Sequence, residues 1–370
     1  MITISNTCGT AKVFAESLDS GAEGLLRALC GTVLAENSTI RVMPDVHAGK
    51  GCAVGTTMTY SDKIAPGLVG VDIGCGVTAV KVTCKRPELS KLDRVIHERV
   101  PAGRALRTEV HRFADSAQLA KLRAIRHVRA DKALLVLGTL GGGNHFIELD
   151  KSESGAKNEF WLLVHSGSRH LGVEVEKYYH DLAFKAPSAK MPYELAYLTG
   201  EAMDDYLHDM KIVQEYASLN RKAIIDEIVR AMKMDEIDRI ESFHNYVDTE
   251  SKILRKGAIS AQAGERLVIP MNMRDGALLG VGKGNADWNF SAPHGAGRLK
   301  SRAETLNTVT VSQYKKAMTG IYTTCVGHAT LDESPMAYKP MQSIVEQIEP
   351  TVEMTERIIP VYNFKAGADD

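Results

Sequence analysis

Two loops rich in glycine carry side chains that could bind a metal ion. The first runs Gly70-Val71-Asp72-Ile73-Gly74-Cys75-Gly76, so that a carboxylate and a thiol lie three residues apart. Glycines on both sides of Cys75 allow a tight backbone and the close approach of a ligand. A buried cysteine most often serves packing alone. The acidic neighbour Asp72 favours instead a thiol that binds a cation.

The second loop, Gly141-Gly142-Gly143-Asn144-His145-Phe146-Ile147-Glu148, begins with three glycines whose backbone amides could meet phosphate oxygens. Two further histidines stand in similar contexts: His165 directly follows an apolar run, and His244 lies in Phe243-His244-Asn245-Tyr246. Each histidine alone is more typical of an ordinary hydrogen-bonded residue. One carboxylate, one thiolate and three imidazoles together suit divalent transition metals.

A third segment runs from Ser291 to Arg302 and contains His294 followed by small residues. Its imidazole should therefore be accessible to a ligand. Arg298 and Arg302 follow at i+4 and i+8, which places them on one face if a helix starts here. A histidine near arginines could attack a phosphate and form a phosphoramidate. It could equally be a fourth metal ligand, and the residues alone leave both interpretations open.

Apolar runs predict the strands that would position these loops. Residues 77–83 combine β-branched side chains with alternation, which indicates a strand directly after Cys75. Residues 134–137 and 161–164 are short apolar runs, and we interpret both as buried strands. The second of these runs ends directly before His165, which would place that histidine at a strand end, where site residues are common.

Helices are indicated by apolar spacing of three and four residues. A helix around residues 201–219 is predicted by one apolar stripe: Met203, Tyr206, Met210, Val213 and Ala217. Further helices are expected at about 221–232 and 341–358. Strands occur before, between and after helices, so the predicted fold class is mixed α/β (α+β). No linker divides the chain, and we expect one domain over residues 1–370, with a mainly helical excursion at about 185–240.

Charge is uneven along the chain. The totals of 45 Lys/Arg and 46 Asp/Glu give a net charge of −1, which does not indicate a globally basic nucleic-acid binder. Residues 85–132, however, hold 13 Lys/Arg and 6 Asp/Glu, a local net charge of +7. This basic run includes Arg99, Arg104, Arg107, Arg112, Lys121, Arg123, Arg126 and Arg129. It is either a solvated helical face or a surface that binds a polyanion.

Several classes of protein are excluded or disfavoured. The six scattered cysteines form no C-x-x-C pair, which argues against a disulfide framework in a chain of this length. No leader-like segment and no apolar stretch of 18 residues occurs, so we expect a soluble, cytoplasmic protein with no membrane partner. The chain also lacks the phosphate-binding motif G-x-x-x-x-G-K-[ST], the zinc motif H-E-x-x-H and the lysine motif K-x-D-G.

Eight ordered segments resemble the RtcB family of RNA ligases. They are MPDVHxGKG from Met43, GVDIGCG, GGGNHFIE, HSGSR, HNYV, RKGAISA, HGAGR and AYK, and they extend over nearly the whole chain. The resemblance implies an RtcB-type single large domain with central β-sheets surrounded by helices. It also implies GTP- and Mn²⁺-dependent joining of RNA 3′-phosphate or 2′,3′-cyclic phosphate ends to 5′-hydroxyl ends, as in RNA repair or tRNA splicing. A monomer is the family expectation, and an activating protein is a further partner to consider.

The resemblance also assigns roles to individual residues. Two Mn²⁺ ions would be bound by Asp72, Cys75, His145, His165 and His244, with Cys75 bridging, and His294 would be the nucleophile that takes GMP. The nucleotide would be contacted by Asn144, Phe146, Glu148, Asn245, Asn272, Met273, Ala296, Gly297, Tyr338 and Lys365. Phosphates of GTP or RNA would meet Arg169, Lys256, Arg298 and Arg302. On this view the basic run is our candidate RNA path.

Three departures from the family pattern distinguish this chain. Residues 270–274 read Pro-Met-Asn-Met-Arg where Pro-Gly-Ser-Met-Gly is common, which affects the expected selectivity for guanine. His170 replaces a usual glycine, and Phe243 replaces a frequent histidine. Two rival functions are considered. A metal-dependent RNA phosphoesterase that uses no nucleotide would be served by the same ligands, whereas the complete set of metal ligands argues against a non-catalytic RNA-binding protein. The sequence does not identify the physiological RNA.

Overall fold

The computed structural model describes residues 1–186 and 191–367 of the chain. Its strands are β1 (Ile2–Asn6), β2 (Gly9–Val13), β3 (Ile40–His47), β4 (Val54–Thr59), β5 (Gly76–Thr83), β6 (Phe146–Ser152), β7 (Glu159–Ser166), β8 (Asp235–Phe243), β9 (Asn245–Asp248), β10 (Ile253–Lys256), β11 (Ala258–Ser260), β12 (Arg266–Asn272), β13 (Gly276–Gly282), β14 (Ser291–Pro293) and β15 (Val352–Lys365). Its helices are α1 (Ser20–Cys30), α2 (Pro66–Val69), α3 (Leu89–Arg99), α4 (Ala130–Val136), α5 (Arg169–Lys185), α6 (Gly200–Met232), α7 (Arg302–Thr308), α8 (Val311–Ala317) and α9 (Met341–Ile348). Among these described residues, no helix is both long enough and apolar enough to cross a membrane.

The larger sheet has seven strands in the order β12-β13-β15-β6-β7-β5-β8, and every neighbouring pair is antiparallel. The sheet curls until its edge strands meet, where the Val268 backbone N–H of β12 donates to the Ser242 hydroxyl of β8 at 3.1 Å. The inner face is apolar and includes Val77, Phe146, Trp161, Leu163, Ile240 and Leu279. The outer face packs against α3 and α6 through Leu92, Ile96, Ile224 and Ile228.

A second sheet has six strands in the order β1-β2-β3-β4-β10-β9, with β2 and β3 parallel and the other pairs antiparallel. The chain passes from the larger sheet to this one at His244, which lies between β8 and β9. A short antiparallel pair, β11 and β14, ends at Pro293, directly before His294. The end of β8 in the larger sheet and the end of β14 in the short pair therefore bring His244 and His294 to one region.

The structure confirms the mixed α/β class and several predicted elements. The strand predicted at residues 77–83 is β5, and the run 161–164 lies within β7. The two helices predicted at 201–219 and 221–232 form one continuous helix, α6, whose apolar stripe is buried as expected. Within the predicted excursion at about 185–240, α6 occupies residues 200–232 and β8 begins at Asp235. The single domain over residues 1–370 stays a prediction.

Two predicted elements are wrong. The run 134–137 is the end of a helix, α4, and not a strand, because Ala133, Val136 and Leu137 are buried at helical spacing. The helix predicted at 341–358 ends at Ile348, and β15 begins at Val352. Pro350 lies at this boundary, and it has no backbone N–H with which to continue the helical hydrogen bonds.

Candidate active site

Five side chains that the resemblance assigns to a metal site converge at one end of the larger sheet. Asp72 and Cys75 precede β5, His145 precedes β6, His165 belongs to β7 and His244 follows β8. The Cys75 Sγ lies 3.3 Å from His165 Nε2 and 3.5 Å from His145 Nε2. His165 Nε2 is 3.4 Å from His244 Nε2, and His145 Nε2 is 3.4 Å from Asp72 Oδ2. Because β6, β7, β5 and β8 are neighbours, the ends of these strands meet.

Backbone carbonyls orient two of these imidazoles. His145 Nδ1 lies 2.9 Å from the Leu140 carbonyl oxygen, and His165 Nδ1 lies 3.1 Å from that of Asn144. A carbonyl only accepts, so each Nδ1 carries the proton. The Nε2 of His165 then presents a lone pair to the cluster, whereas the Nε2 of His145 bonds to the Asp72 carboxylate. Histidines that bind a metal through one ring nitrogen commonly donate the N–H of the other nitrogen to such an acceptor.

The electrostatics of the cluster favour a bound cation. Burial, together with the negative charge of Asp72, raises the pKa of the Cys75 thiol well above its usual range. Burial also lowers the pKa of His165 and His244 well below the usual range, so both rings are neutral. Burial alone would raise the pKa of Asp72, but His145 brings it below its ordinary value by a hydrogen bond and by its charge. Neutral imidazoles, a carboxylate and a thiol that loses its proton to a cation fit a divalent transition metal.

Helix α6 supports this cluster from behind. Arg221 is fully buried, and its Nη1 donates to the carbonyl oxygens of Gly74 at 2.9 Å and Ser166 at 2.7 Å. Its charge is balanced by Glu241, at 2.8 Å from Nη2. Arg221 therefore ties the loop that carries Cys75 and the strand that carries His165 to one rigid helix.

His294 lies beside the cluster and is held by a buried aspartate. Its Nδ1 is 2.6 Å from Asp45 Oδ2 and its backbone N–H donates to the same oxygen at 3.2 Å. The His294 ring is 4.9 Å from the His244 ring, centroid to centroid. Gly297 allows this approach, since a Cβ there would lie 2.3 Å from the Asp45 carbonyl oxygen and its φ is +70°. With Nδ1 engaged, Nε2 is the available ring nitrogen. Asp45 belongs to the MPDVHxGKG motif, but the sequence predicted neither a role for it nor its contact with His294.

The cluster and His294 open into a cavity of about 800 Å³. Nine of the ten predicted nucleotide-contacting residues line it: Asn144, Phe146, Glu148, Asn272, Met273, Ala296, Gly297, Tyr338 and Lys365. The tenth, Asn245, does not line it, and its Oδ1 accepts the Gly257 backbone N–H at 3.0 Å. The cavity is also lined by His165, His244 and His294, so a single space adjoins the donor cluster and the predicted nucleotide residues.

One wall of the cavity carries a buried acid, Glu148. Asn363 of the neighbouring strand β15 donates to its Oε1 at 2.5 Å. Burial raises the pKa of Glu148 to about 8, although Asn363 and Lys365 act in the opposite direction. Strongly shifted pKa values cluster at functional sites, and Glu148 also lines the cavity, which makes it a candidate for recognising a polar edge of a ligand.

A second buried acid, Glu333, forms ion pairs with three basic side chains of the cavity. It lies 2.8 Å from Lys365 Nζ, 2.7 Å from Arg302 Nη1 and 3.1 Å from Arg298 Nη1, and it accepts from the Tyr338 hydroxyl. Burial would raise the pKa of Glu333, but the charges of Lys365 and Arg302 hold it at about 2. Glu333 was not singled out in the sequence.

Arg298 and Arg302 do not share one face of a helix, because α7 begins only at Arg302. The two arginines converge nevertheless, through Glu333. Arg169 and Lys256 do not line the cavity. Arg169 Nη1 lies 3.2 Å from His145 Nδ1, and Lys256 is buried with its Nζ donating to the Val69 carbonyl oxygen at 3.1 Å.

In the unusual segment 270–274, the side chain of Asn272 forms hydrogen bonds within its own turn. The Asn272 Oδ1 accepts the backbone N–H groups of Arg274 and Asp275, both at 3.0 Å, and its Nδ2 donates to Asp275 Oδ2 at 2.8 Å. Met273 is buried, and the Tyr314 hydroxyl donates to its sulfur at 2.8 Å. The hydrogen-bonding groups of Asn272 are therefore used within the turn.

The basic run of residues 85–132 is partly neutralised. Five of its eight singled-out cations form ion pairs with acids of α5 and α6: Arg99 and Arg107 with Glu227, Arg112 with Asp226, Arg123 with Asp205 and Arg129 with Glu174. In the part of the chain that the structure describes, Arg104, Lys121 and Arg126 are exposed and form no ion pair. Much of the run therefore fastens a long loop to two helices.

Comparison with known proteins extends over most of the chain. The family model described as tRNA-splicing ligase RtcB matches residues 33–130 and 107–366. The RNA-splicing ligase RtcB of Escherichia coli (strain K12) is 33% identical over 362 residues, which cover 85% of this chain and 87% of that protein. The tRNA-splicing ligase RtcB of Aeropyrum pernix is 26% identical over 400 residues, covering 82% and 83%, and that of Methanococcus maripaludis is 27% identical over 396 residues, covering 82% of each.

Proposed function

The chain belongs to the RtcB family, and we propose that it is an RNA ligase that uses GTP and Mn²⁺. The proposed substrates are an RNA 3′-phosphate or 2′,3′-cyclic phosphate end and a 5′-hydroxyl end, as in RNA repair or tRNA splicing. The observation that carries the proposal is the placement of His294: an imidazole fixed by Asp45 stands between a cluster of metal-binding side chains and a large cavity.

The proposed metal site consists of Asp72, Cys75, His145, His165 and His244. These residues would hold two Mn²⁺ ions, whose positive charge would neutralise phosphate charge and help to align the reacting groups. The residues fit this group because the thiol, the carboxylate and the neutral imidazole nitrogens already face one another within 3.3 to 3.5 Å.

In the proposed reaction, His294 Nε2 attacks the α-phosphorus of GTP. The N–P bond forms as the bond to the bridging oxygen breaks, and pyrophosphate leaves. Asp45 stabilises the positive charge that develops on the ring, as the aspartate of a catalytic triad does. The RNA 3′-phosphate then displaces His294 from the GMP phosphorus. Finally the 5′-hydroxyl attacks the activated 3′-phosphate, closes the 3′,5′ bond and releases GMP.

The proposed nucleotide pocket shares the cavity with the metal-site histidines His165 and His244. Tyr338 would pack against the guanine, and Lys365 and Glu148 would meet polar groups of the base. Glu333 supports this arrangement, because it holds Lys365 and the Tyr338 hydroxyl in place. The amide of Asn272 bonds within its own turn, so any contact of Asn272 with the nucleotide would come from its backbone, while Met271 and Met273 also line the cavity.

Asp45→Asn should slow formation of the protein–GMP adduct by roughly 10²-fold, because the amide no longer fixes the His294 tautomer or balances its charge. The rate would be measured in a single turnover with α-labelled GTP. Asp62→Asn, an exposed aspartate that pairs with Lys63, is the matched control and should react at the wild-type rate. A wild-type rate in Asp45→Asn would show that His294 needs no carboxylate partner.

The affinity for guanosine should rise with pH. Since the pKa of Glu148 is raised to about 8, its carboxyl is protonated below that value and ionised above it. Guanine presents N–H donors, which only the ionised carboxylate can accept with both oxygens. Affinity should therefore rise about tenfold per pH unit well below pH 8 and level off above it. Calorimetric titration with guanosine avoids a titrating phosphate. Glu148→Gln should bind weakly at every pH, and a flat wild-type profile would contradict this role.

The proposed function is tested by joining two RNA fragments, one with a 3′-phosphate and one with a 5′-hydroxyl. We expect a joined product that requires Mn²⁺ and GTP, together with an acid-labile protein–GMP adduct. The rival function, a phosphoesterase that uses no nucleotide, would instead open a 2′,3′-cyclic phosphate at the same rate with and without GTP and form no adduct. Binding of RNA without any chemical change would point to the non-catalytic alternative.

A further inference from the structure

His47, a histidine with no assigned role, lies in the same cavity as His294. It is the last residue of β3, two positions after Asp45, and it lines the cavity. Its Nδ1 lies 2.9 Å from the Asp45 carbonyl oxygen. Because a carbonyl cannot donate, Nδ1 carries the proton and Nε2 carries a lone pair. His47 therefore offers a fixed proton acceptor to whatever occupies the cavity.

Asp45 holds both histidines at once. Its carboxylate Oδ2 bonds to His294 Nδ1, and its carbonyl oxygen bonds to His47 Nδ1. The two free Nε2 atoms consequently belong to rings that are tethered to one buried residue. The positions of the two rings are linked, as a nucleophile and a base that act on the same phosphate would need to be.

The surroundings of His47 keep its imidazole neutral. Burial lowers its pKa, and the nearby charges of His294 and Lys339 act in the same direction, while Asp45 opposes them. A neutral imidazole with an available nitrogen is a suitable general base near neutral pH.

The other acids and bases of the cavity are committed elsewhere, within the described part of the chain. Glu333 is engaged by three cations and a phenol, and Glu148 is bound by Asn363 on the nucleotide side. His165 and His244 belong to the proposed metal site. Asp19 caps helix α1 by accepting the Ala22 backbone N–H at 2.8 Å, and Glu304 is exposed on α7.

We propose that His47 is a catalytic base of the joining step, which accepts the proton of the incoming RNA 5′-hydroxyl. This inference rests on the proposed ligase function. The hydroxyl oxygen forms a bond to the phosphorus of the activated 3′-phosphate, and the bond from that phosphorus to the bridging oxygen of GMP breaks. GMP leaves with that oxygen and its electron pair. The hydroxyl proton moves to His47 Nε2 and is later lost to water.

The test uses His47→Asn, whose side-chain amide N–H can still donate to the Asp45 carbonyl oxygen but offers no basic nitrogen. The joining step is started from a purified RNA fragment that already carries the activated 3′-end, mixed with a 5′-hydroxyl fragment. We expect joining to slow by roughly 10²-fold, far more than formation of the protein–GMP adduct slows. The rising limb of the pH–rate profile of joining should disappear, and added imidazole should restore part of the rate.

Two outcomes would overturn the inference. Joining at the wild-type rate would exclude His47 as the base. An equal loss in adduct formation and joining, without rescue by imidazole, would assign His47 a structural role through Asp45. Failure of the ligase function itself is distinguishable, because the wild-type protein would then form neither the adduct nor the joined product.

Discussion

His294→Ala is expected to form no protein–GMP adduct and to lose ligation by roughly 10³-fold or more. Alanine removes the only atom that the proposed mechanism uses to accept GMP, His294 Nε2, while Asp45 and the cavity remain. Effects of this size are typical when the nucleophile of a covalent mechanism is deleted. The measurement is incorporation of α-labelled GTP into denatured protein, followed by joining of RNA fragments.

The control for His294→Ala is His208→Ala, an exposed histidine on α6 whose Nε2 contacts the Lys121 carbonyl oxygen. It should form the adduct at the wild-type rate. An adduct that persists in His294→Ala would assign the nucleophile to another side chain. In that case His294 would revert to the alternative that the sequence leaves open, a fourth metal ligand.

Cys75→Ala is expected to weaken Mn²⁺ binding by more than about 10²-fold and to abolish ligation with it. The Cys75 sulfur lies within 3.5 Å of the Nε2 atoms of His145 and His165. Its loss would therefore remove a proposed ligand from the centre of the site. Changes to groups outside the ligand set already cost about 10- to 100-fold in metal affinity, and loss of a ligand should exceed that. Equilibrium dialysis with elemental analysis gives the number of ions per chain.

Cys84→Ala is the matched control, because Cys84 follows the same strand, β5, at its opposite end. It should retain the wild-type metal content and activity. Since Cys75 is buried, the folded state of Cys75→Ala must be checked by thermal unfolding before the metal measurement. A folded Cys75→Ala protein with full metal content would contradict the proposed ligand set.

Local patterns predicted the elements whose periodicity was unambiguous. The alternation of residues 77–83 gave a strand, and the apolar stripe from Met203 to Ala217 gave a helix, because both extend far enough to distinguish a period of two from 3.6. The run 134–137 is too short for that distinction, and it became the end of α4. The strand after Ile348 was missed because Pro350 was not taken as a boundary.

The candidate site was predictable where a motif names its own residues and less so where partners come from elsewhere. Cys75, His145 and His165, which three separate motifs supply, have potential ligand atoms within 4.8 Å of one another. Glu333 was missed, since only the tertiary structure shows that Lys365, Arg298 and Arg302 reach it. The local net charge of +7 overstates the unpaired positive charge of the basic run for the same reason. The acids that pair with its arginines lie on helices about 40 to 120 residues away in sequence.

The two faces of α6 differ in how much change the chain can tolerate. Toward the sheet, Arg221 is fully buried and donates to the carbonyl oxygens of Gly74 and Ser166. Any displacement of this side chain would break those hydrogen bonds. Toward the loop of residues 100–129, Asp226 and Glu227 form side-chain ion pairs, and the buried Asp209 accepts the backbone N–H groups of Arg123 and Ala124. Length changes can therefore be accommodated at the exposed residues 104–106 and 108–110, whereas Leu119, Leu122 and Ala124 are buried in the core and fix their part of the loop.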